Sequence, residues 1–415
     1  MKILLLLQLF ISLILATGPL EQNRGQNNDV FAAFQRSEIS EAHMDFAVNM
    51  YKLVSSSLIK APSNLFFSPV SVYTTLSMLA LGARSTTRLE ILQGMGLNDT
   101  KTNIQLHEDY RKFLQVVSQK TKDVKFKLGN EIFINKLENI LPEYQQNVTY
   151  YYNASIQTIS FSDPQNAEKT INKFVSDRTD NKIQNLVGNL DPKTLMVLLD
   201  HMVFQAKWES EFDPHNTEER SFTVNENTSV LVPMMYRRGL YKTYKDKELE
   251  CDMVEVPYAG KVSLLIIVPQ LGDLRMVEKN LTRQRIKQYF SSKKTSLLDL
   301  YIPKVSFNTP VNVQFGLLSM GMARIFSSDN ADFSRISKKS RIRVSKILHQ
   351  SFMSIEERGT EVRSATSAQL NYVLPSPEFK VDRPFLMLVY HKPTETILGM
   401  GRFKEPPSNN PGQGE

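Results

Sequence analysis

Apolar residues recur at helical spacing in the first part of the chain. Phe46, Met50, Leu53 and Val54 fall at i, i+4, i+7 and i+8 and predict a helix that begins near Ser40. Leu76, Leu79, Ala80 and Ala83 form a second stripe. It follows a strand-like stretch, Asn64 to Ser68, and Pro69, whose fixed φ suits the first turn of a helix. A third amphipathic helix is predicted over Leu106 to Thr121, carrying His107, Tyr110, Leu114 and Val117. From about Lys193 strand signals replace helical ones. Val262 to Val268 is apolar except for Ser263, as expected of a strand covered on both faces. Leu298, Leu300 and Ile302 alternate, as do Val305 and Phe307, and Phe385 to Tyr390 is a further apolar strand. No repeat of fixed period and no Gly/Ser or Pro linker divides the chain. Helices in the first half and strands in the second predict one α+β domain with a single core.

Composition narrows the class. With 415 residues, 41% hydrophobic and 22% charged, the chain can bury a large core and is neither disordered nor low in complexity. One cysteine, Cys251, excludes a disulfide scaffold and any multi-cysteine metal site. The six histidines have no ligand spacing, so neither a metal nor a cofactor is expected. Net charge is +7, a mild excess that favours acidic partners such as sulfated sugars. No basic stripe is interleaved with aromatics, which argues against nucleic acid. Met1-Lys2, the apolar run Ile3 to Leu15 broken only by Gln8 and Ser12, and Ala16-Thr17-Gly18 read as a secretory signal peptide, residues 1–18. No later stretch reaches the length of a membrane span. Residues 19–36 read as a flexible polar extension and 407–415 as a flexible tail. Secretion leaves Cys251 without an intrachain partner, so it is expected to be buried or capped. It also permits glycosylation at the sequons of Asn98, Asn147, Asn153, Asn227 and Asn280, though chance matches in so Asn-, Ser- and Thr-rich a chain give these little weight.

One segment breaks the pattern. After the strand-like Ile347 to Ile355, residues 356–377 have no helical stripe and few large apolar groups. Structureless stretches of that length in a compact domain are usually functional. Its first half alternates nevertheless: Thr360, Val362, Ser364 and Thr366 on one side, Glu361, Arg363, Ala365 and Ser367 on the other. That is a strand pattern without a sheet, and a solvated loop is the competing reading.

The motifs in order resemble a serpin over nearly all of the mature chain. They are Asn64-Leu65-Phe66-Phe67-Ser68-Pro69-Val70-Ser71, Leu81-Gly82-Ala83, Phe204-Gln205-Ala206-Lys207-Trp208 with Phe212, Val232-Pro233-Met234-Met235, Val256-Pro257-Tyr258, Leu264 to Pro269, Glu357-Arg358-Gly359-Thr360-Glu361 and Asp382-Arg383-Pro384-Phe385. The leader, Pro233-Met234-Met235 and the position of Cys251 resemble the secreted antitrypsin-like clade. The resemblance implies a serpin domain over 37–406, with about nine helices, three β-sheets and a reactive centre loop at about 357–384. It also implies a monomeric suicide substrate of a target serine protease. The protease is held as an acyl-enzyme while the cut loop inserts into the main sheet. Gly359 would be the swivel of a hinge made of Glu357, Gly359, Thr360, Glu361, Val362, Arg363, Ser364, Ala365 and Thr366. Thr360, Val362, Ser364 and Thr366 would face the sheet's buried side, and the charge of Arg363 would stay outside. Val362 and Arg363 depart from the small residues usual there, which keeps open a non-inhibitory serpin that carries a small hydrophobic hormone.

The 27 residues from Gly359 to Phe385 match the spacing that the antitrypsin-like resemblance implies, and on that register the reactive bond would be Val373-Leu374, which suits an elastase-like pocket. A shift of one gives Tyr372-Val373, which suits a chymotrypsin-like pocket. The resemblance further implies a polar cluster beneath the sheet at Ser68, Ser71, Asp200 and His349, with Asp200 where most members carry Asn. Trp208 would cap the sheet near the hinge, and Lys304 would pair with Glu357. Gly399 stands where a Phe is usual. Two basic groups are candidate heparin sites: Lys112, Lys120, Lys122, Lys125 and Lys127 on and after the third helix, and Arg283, Arg285, Lys287, Lys293 and Lys294 on a later one. A solvated charged face is the plainer reading of each. No nucleotide-binding, zinc-protease or hydrolase motif is present, so an enzyme is not expected.

Overall fold

The first apolar stripe folds as helix α1 (Glu38–Ser57), which buries Phe46, Met50 and Val54 and leaves Leu53 half-buried. The computed structural model describes residues 37–57, 64–98, 103–118, 122–308, 310–338, 342–359 and 376–406. The leader at 1–18, the extension at 19–36, the tail at 407–415 and loop residues 360–375 lie outside the described residues. After α1 come β1 (Leu65–Phe67), α2 (Pro69–Gly82), α3 (Ser85–Gly94), α4 (Asn103–Val117), β2 (Val124–Asn135), α5 (Pro142–Tyr152), β3 (Ser155–Ile159), α6 (Pro164–Arg178) and β4 (Met196–Ala206). They are followed by β5 (Glu218–Asn225), β6 (Thr228–Asp246), β7 (Cys251–Pro257), β8 (Val262–Pro269), α7 (Leu274–Asn280), α8 (Arg283–Ser291), β9 (Lys294–Pro303), β10 (Val305–Phe307) and β11 (Pro310–Val311). The chain ends with α9 (Val313–Ser319), β12 (Lys346–Ile355), β13 (Glu378–Lys380), β14 (Phe385–His391) and β15 (Thr396–Phe403). Nine α-helices are thus present among the described residues.

The strands form two hydrogen-bonded networks. One runs β1-β15-β14-β8-β7-β6-β9-β13, with β5 also on β6, and the other β10-β12-β4-β2-β3, with β11 also on β12. Two of the three expected sheets are continuous because β6 is long. It pairs with β5 and β9 along much of its length and with β7 at its end.

Helix α2 touches strands of both networks and fixes their spacing. Its sequence PVSVYTTLSMLALG carries no charge, and every residue of it is buried. Pro69 opens it, and Ser68 caps it by accepting the N–H of Ser71. On the other face of the six-stranded sheet, α6 lays Ala167, Ile171 and Val175 against Phe133, Val197, Leu199 and Val203. Strand alternation therefore splits neighbours on β4: Leu199, His201 and Val203 share the α6 side, and Asp200 points the other way, toward His349.

Strands β2 and β3 depart from the expected helical first half. In β2, Val124, Phe126 and Leu128 alternate with Lys125, Lys127 and Gly129, a period-2 strand signal that the expectation of helices passed over, and the strand pairs with β4 along its length. Lys125 and Lys127, expected after the third helix, lie on this strand. Gly399, where a Phe was expected, makes room for another ring: a Cβ there would come within 2.5 Å of Phe66 Cζ. Gly399→Ala is expected to destabilise the protein by about 1–3 kcal/mol through overpacking, measured by denaturant unfolding.

Burial also sets a pH dependence. It pulls His43 and His107 down to about 3 and His201 and His391 down to about 4. The unfolded chain therefore binds more protons than the folded one between these values and the ordinary histidine pKa, so stability is lost as pH falls through that window. Glu131, pushed up to about 7 by burial, works in the opposite direction and offsets roughly one histidine. The melting temperature is expected to be lower at about pH 5 than at about pH 7.5.

Candidate functional site

The site is the seam between β4 and β12. These strands are parallel and directly paired from Lys346↔Val197 to Met353↔Phe204. Beyond that point β12 continues on β10, and β4 continues on β2. The chain leaves β12 at Ile355, crosses the top of the seam, and reaches Lys207 through an isolated bridge from Gly359. Gly359 has φ +86°, and a Cβ on it would lie 2.1 Å from Ala206 O. Both the left-handed backbone and the contact require glycine. On the far side, β13 is held parallel to β9.

Side chains pin this crossing. Trp208 Nε1 donates to Glu356 O at 2.7 Å, and its ring stacks on Tyr258 with centroids 4.2 Å apart. Phe212 N–H donates to Glu357 O at 2.7 Å. Lys304 Nζ lies 2.9 Å from the Glu357 carboxylate, which also accepts the Thr217 hydroxyl at 2.9 Å. Burial alone would raise the Glu357 pKa, but these donors outweigh it and hold the carboxyl below its ordinary value. Sequence reasoning found Trp208, Lys304 and Glu357 but missed Thr217, which carries no signal except its place before β5.

Beneath the middle of the seam, three of the four expected cluster residues meet. Ser68 N–H donates to His349 Nε2 at 3.0 Å, and Ser351 Oγ lies 3.0 Å from the same nitrogen. With Nε2 accepting, Nδ1 carries the hydrogen and donates to Asp200 Oδ1. Ser68 Oγ reaches across to Leu398 O at 2.8 Å and so ties the seam to β15. Ser71 differs from expectation: its hydroxyl has no partner, and its carbonyl instead accepts from Asn130 at 3.0 Å. Ser351 and Asn130 were not anticipated, because their relevance arises only from strand pairing.

The other sequence candidates are dispersed. Lys112 is exposed on α4, Lys122 is exposed in the turn before β2, and Lys120 lies outside the described residues. Lys127 lies 2.6 Å from Asp180. In the second basic group, Arg283 meets Glu41 and Asp45, and Lys287 meets Glu41. Arg285 meets Asp246 and Glu248, while Lys293 is buried against Glu255. Lys294 is exposed. That group is an ion-pair lattice tying α8 to its neighbours and offers little free charge. Asn98, Asn153 and Asn227 are exposed, Asn147 is half-buried, and the amide of Asn280 donates to Met276 O. Cys251 is buried, which pushes its thiol up to about 12. The rest of the hinge, Thr360, Glu361, Val362, Arg363, Ser364, Ala365 and Thr366, and both candidate bonds, Val373-Leu374 and Tyr372-Val373, lie outside the described residues. No helix among the described residues is long and apolar enough to cross a membrane.

A sheet seam bridged at its top by a glycine-anchored chain defines a class, and comparison names it. The model of the Serpin (serine protease inhibitor) family matches residues 41–406. The chain is 36% identical over 388 residues to serine protease inhibitor A6 of Xenopus laevis, covering 93% of this chain and 88% of that one. Human thyroxine-binding globulin superposes with a TM-score of 0.83 at 29% identity, over 89% of this chain and 99% of its own. Mouse protein-Z dependent protease inhibitor does so at 0.82 and 28%, over 92% and 100%. The chain belongs to the serpin family.

The seam cluster yields a discriminating pair of variants. Asp200→Asn retains an acceptor for the His349 Nδ1–H and removes an ionisable group from a fully buried place, so stability is expected to hold or rise. His349→Ala strands the Ser68 N–H and Asp200, at about 1–3 kcal/mol for each buried group left unpaired. Denaturant unfolding of both variants is the check.

Proposed function

We propose that this serpin is a secreted inhibitor that traps a chymotrypsin- or elastase-like serine protease as a covalent acyl-enzyme. The protease serine attacks the carbonyl of Val373 or, in the alternative register, of Tyr372. The peptide bond breaks, and the carbonyl stays esterified to the enzyme. The freed segment from Gly359 onward then enters between β4 and β12 as an added antiparallel strand, carrying the protease with it before water can deacylate it. What supports the reading is one observation: the chain leaving β12 passes over the open top of the β4–β12 seam at Gly359. About a dozen new ladder hydrogen bonds at roughly 1 kcal/mol each make insertion comparable with a domain's whole stability and effectively irreversible. Residues 1–18 serve as the signal peptide. Asn98, Asn153 and Asn227 are the sequon residues a glycosyltransferase reaches most readily.

Incubation with chymotrypsin and with neutrophil elastase, followed by a denaturing gel, is expected to give an SDS-stable complex with at least one of them. The loop-cleaved protein is expected to melt above the intact one. Clean cleavage without a complex or a gain in heat resistance would replace trapping with the hormone-carrier reading. Thr366→Arg puts a charge on the side of the segment that insertion buries, at a cost of several kcal/mol. It is expected to turn most encounters into simple cleavage, whereas Glu361→Arg, on the solvent side, leaves the complex yield unchanged.

A further inference from the structure

The far end of the loop returns to the body at β13, three residues paired parallel with β9 at the edge of the larger network. So short a ladder is a weak tether, and one side chain of β9 reinforces it. Leu298, Leu300 and Ile302 of β9 are buried in the core, so alternation turns Asp299 and Tyr301 to the outer face. β6 sets Arg238 opposite Asp299 and Tyr236 opposite Tyr301 on that same face. Arg220 lies over the Tyr301 ring at 4.3 Å, and Lys380 lies over it at 5.9 Å. Aspartate is a poor strand former, and its place inside the run Leu298-Asp299-Leu300-Tyr301-Ile302 calls for a partner.

That partner is the loop. Asp299 Oδ2 accepts the Ser376 hydroxyl, Oδ1 accepts the Tyr236 hydroxyl at 2.8 Å, and Arg238 Nε lies 3.7 Å from Oδ1. The Asp299 N–H also donates to Pro377 O at 3.0 Å. The Asp299 side chain is only 16% exposed, so water competes little for its oxygens. Burial, with the carboxylate beside it, pushes the Tyr236 hydroxyl up to about 12, so it stays a donor at neutral pH. Pro377 biases Ser376 toward extended backbone. Along the sequence only Leu374 and Pro375 separate Ser376 from the proposed reactive bond. At ~3.6 Å per residue at most, that bond lies within about 11 Å of Ser376.

We propose that Asp299 is a positioning residue for the reactive bond: through Ser376 it clasps the segment on the leaving side and presents the bond from a fixed base. A protease binds several residues on each side of the bond it cuts in extended form. Ordering a free chain around that bond costs conformational entropy, and a clasp that has already fixed one flank lowers the cost. In the alternative register the clasp stands one residue further away and acts in the same way. The identity of the attacker rests on the inhibitory reading, but the clasp is made in the intact chain before any protease arrives. Because it lies on the segment that stays outside the β4–β12 seam, it governs the rate of attack and not insertion.

The test has two readouts on the full chain, each variant being checked for a cooperative thermal transition. A nitroxide on Leu374→Cys reports the clasp directly, since Cys251 is buried and its thiol is held protonated. Its spectrum is expected to gain a fast component when Asp299→Ala or Ser376→Ala is added. Thermolysin cuts before leucine and forms no acyl-enzyme, so its rate at Val373-Leu374, located by mass, reads attack whether or not trapping occurs. That rate is expected to fall about fivefold in Asp299→Ala and in Ser376→Ala, with the double variant no slower than either. Asp299→Asn, whose amide group still pairs with both hydroxyls, is expected to recover most of the rate. With chymotrypsin, the share of attacked chains that end as SDS-stable complex is expected to be the same for Asp299→Ala as for the unaltered protein. An unchanged spectrum, an unchanged cutting rate or an additive double variant overturns the proposal. Chymotrypsin cutting the unaltered chain without a complex would sink the trap and leave the clasp standing. The spectrum needs no protease and Ser376→Ala alters only a loop side chain, so both stay decisive where Asp299→Ala impairs folding or thermolysin cuts elsewhere.

Discussion

The parallel pairing of β12 on β4 is the constraint on which the rest of the molecule depends. It closes the six-stranded sheet over α2, sets Asp200 opposite His349 in register, and leaves the chain beyond Ile355 nowhere to go but across the top. A parallel ladder is slightly weaker per residue than an antiparallel one. A strand entering between β4 and β12 would run antiparallel to both and so exchange one ladder for two. Under the proposed mechanism, the driving force is that exchange, and the contacts at Gly359, Trp208 and Lys304 hold the chain at the threshold until it is cut.

Under the proposed mechanism the seam must open, and its hydrogen bonding suits that. Ser68 N–H, Ser351 Oγ and Asp200 all converge on His349, so the imidazole couples α2, β4 and β12 through one ring. Hydrogen bonds are directional and can be remade with a new partner strand, whereas interdigitated apolar side chains cannot part without exposing surface. Below the seam the sheet is sealed by apolar contacts with α2 and α6. At the seam it is closed by polar ones.

Much of this was legible in the sequence, and the misses have physical causes. The helix Pro69–Gly82 was legible in its Leu76, Leu79 and Ala80 stripe behind Pro69, and the strand Val262–Pro269 in its continuous apolar run, as expected of a strand covered on both faces. Strand β2 was passed over although Val124, Phe126 and Leu128 alternate with Lys125, Lys127 and Gly129, because the alternation is short and the partner strand β4 lies more than sixty residues downstream. The basic residues of α8, with Lys293 just after it, looked like a patch because sequence shows local charge only. Their partners, Glu41, Asp45, Asp246 and, for Lys293, Glu255, come from distant elements. Trp208, His349 and the Lys304–Glu357 pair were recoverable through family resemblance alone, since a single Trp or His carries no signal of its own.

The two faces of β4 show why one residue of register matters in this fold. Asp200 and His201 are consecutive, yet one faces His349 in the core cluster and the other faces Glu131 on the α6 side of the sheet. A strand shifted by one position would exchange them, placing His201 against His349 and Asp200 beside Glu131, two carboxyl groups together in a buried site. The polar residues on β4 therefore specify register more sharply than its apolar ones, because Leu198, Leu199, Met202 and Val203 are nearly interchangeable in volume and chemistry. A sheet whose central strands must keep their alignment while a neighbour changes gains more from such asymmetric polar contacts than from additional hydrophobic area.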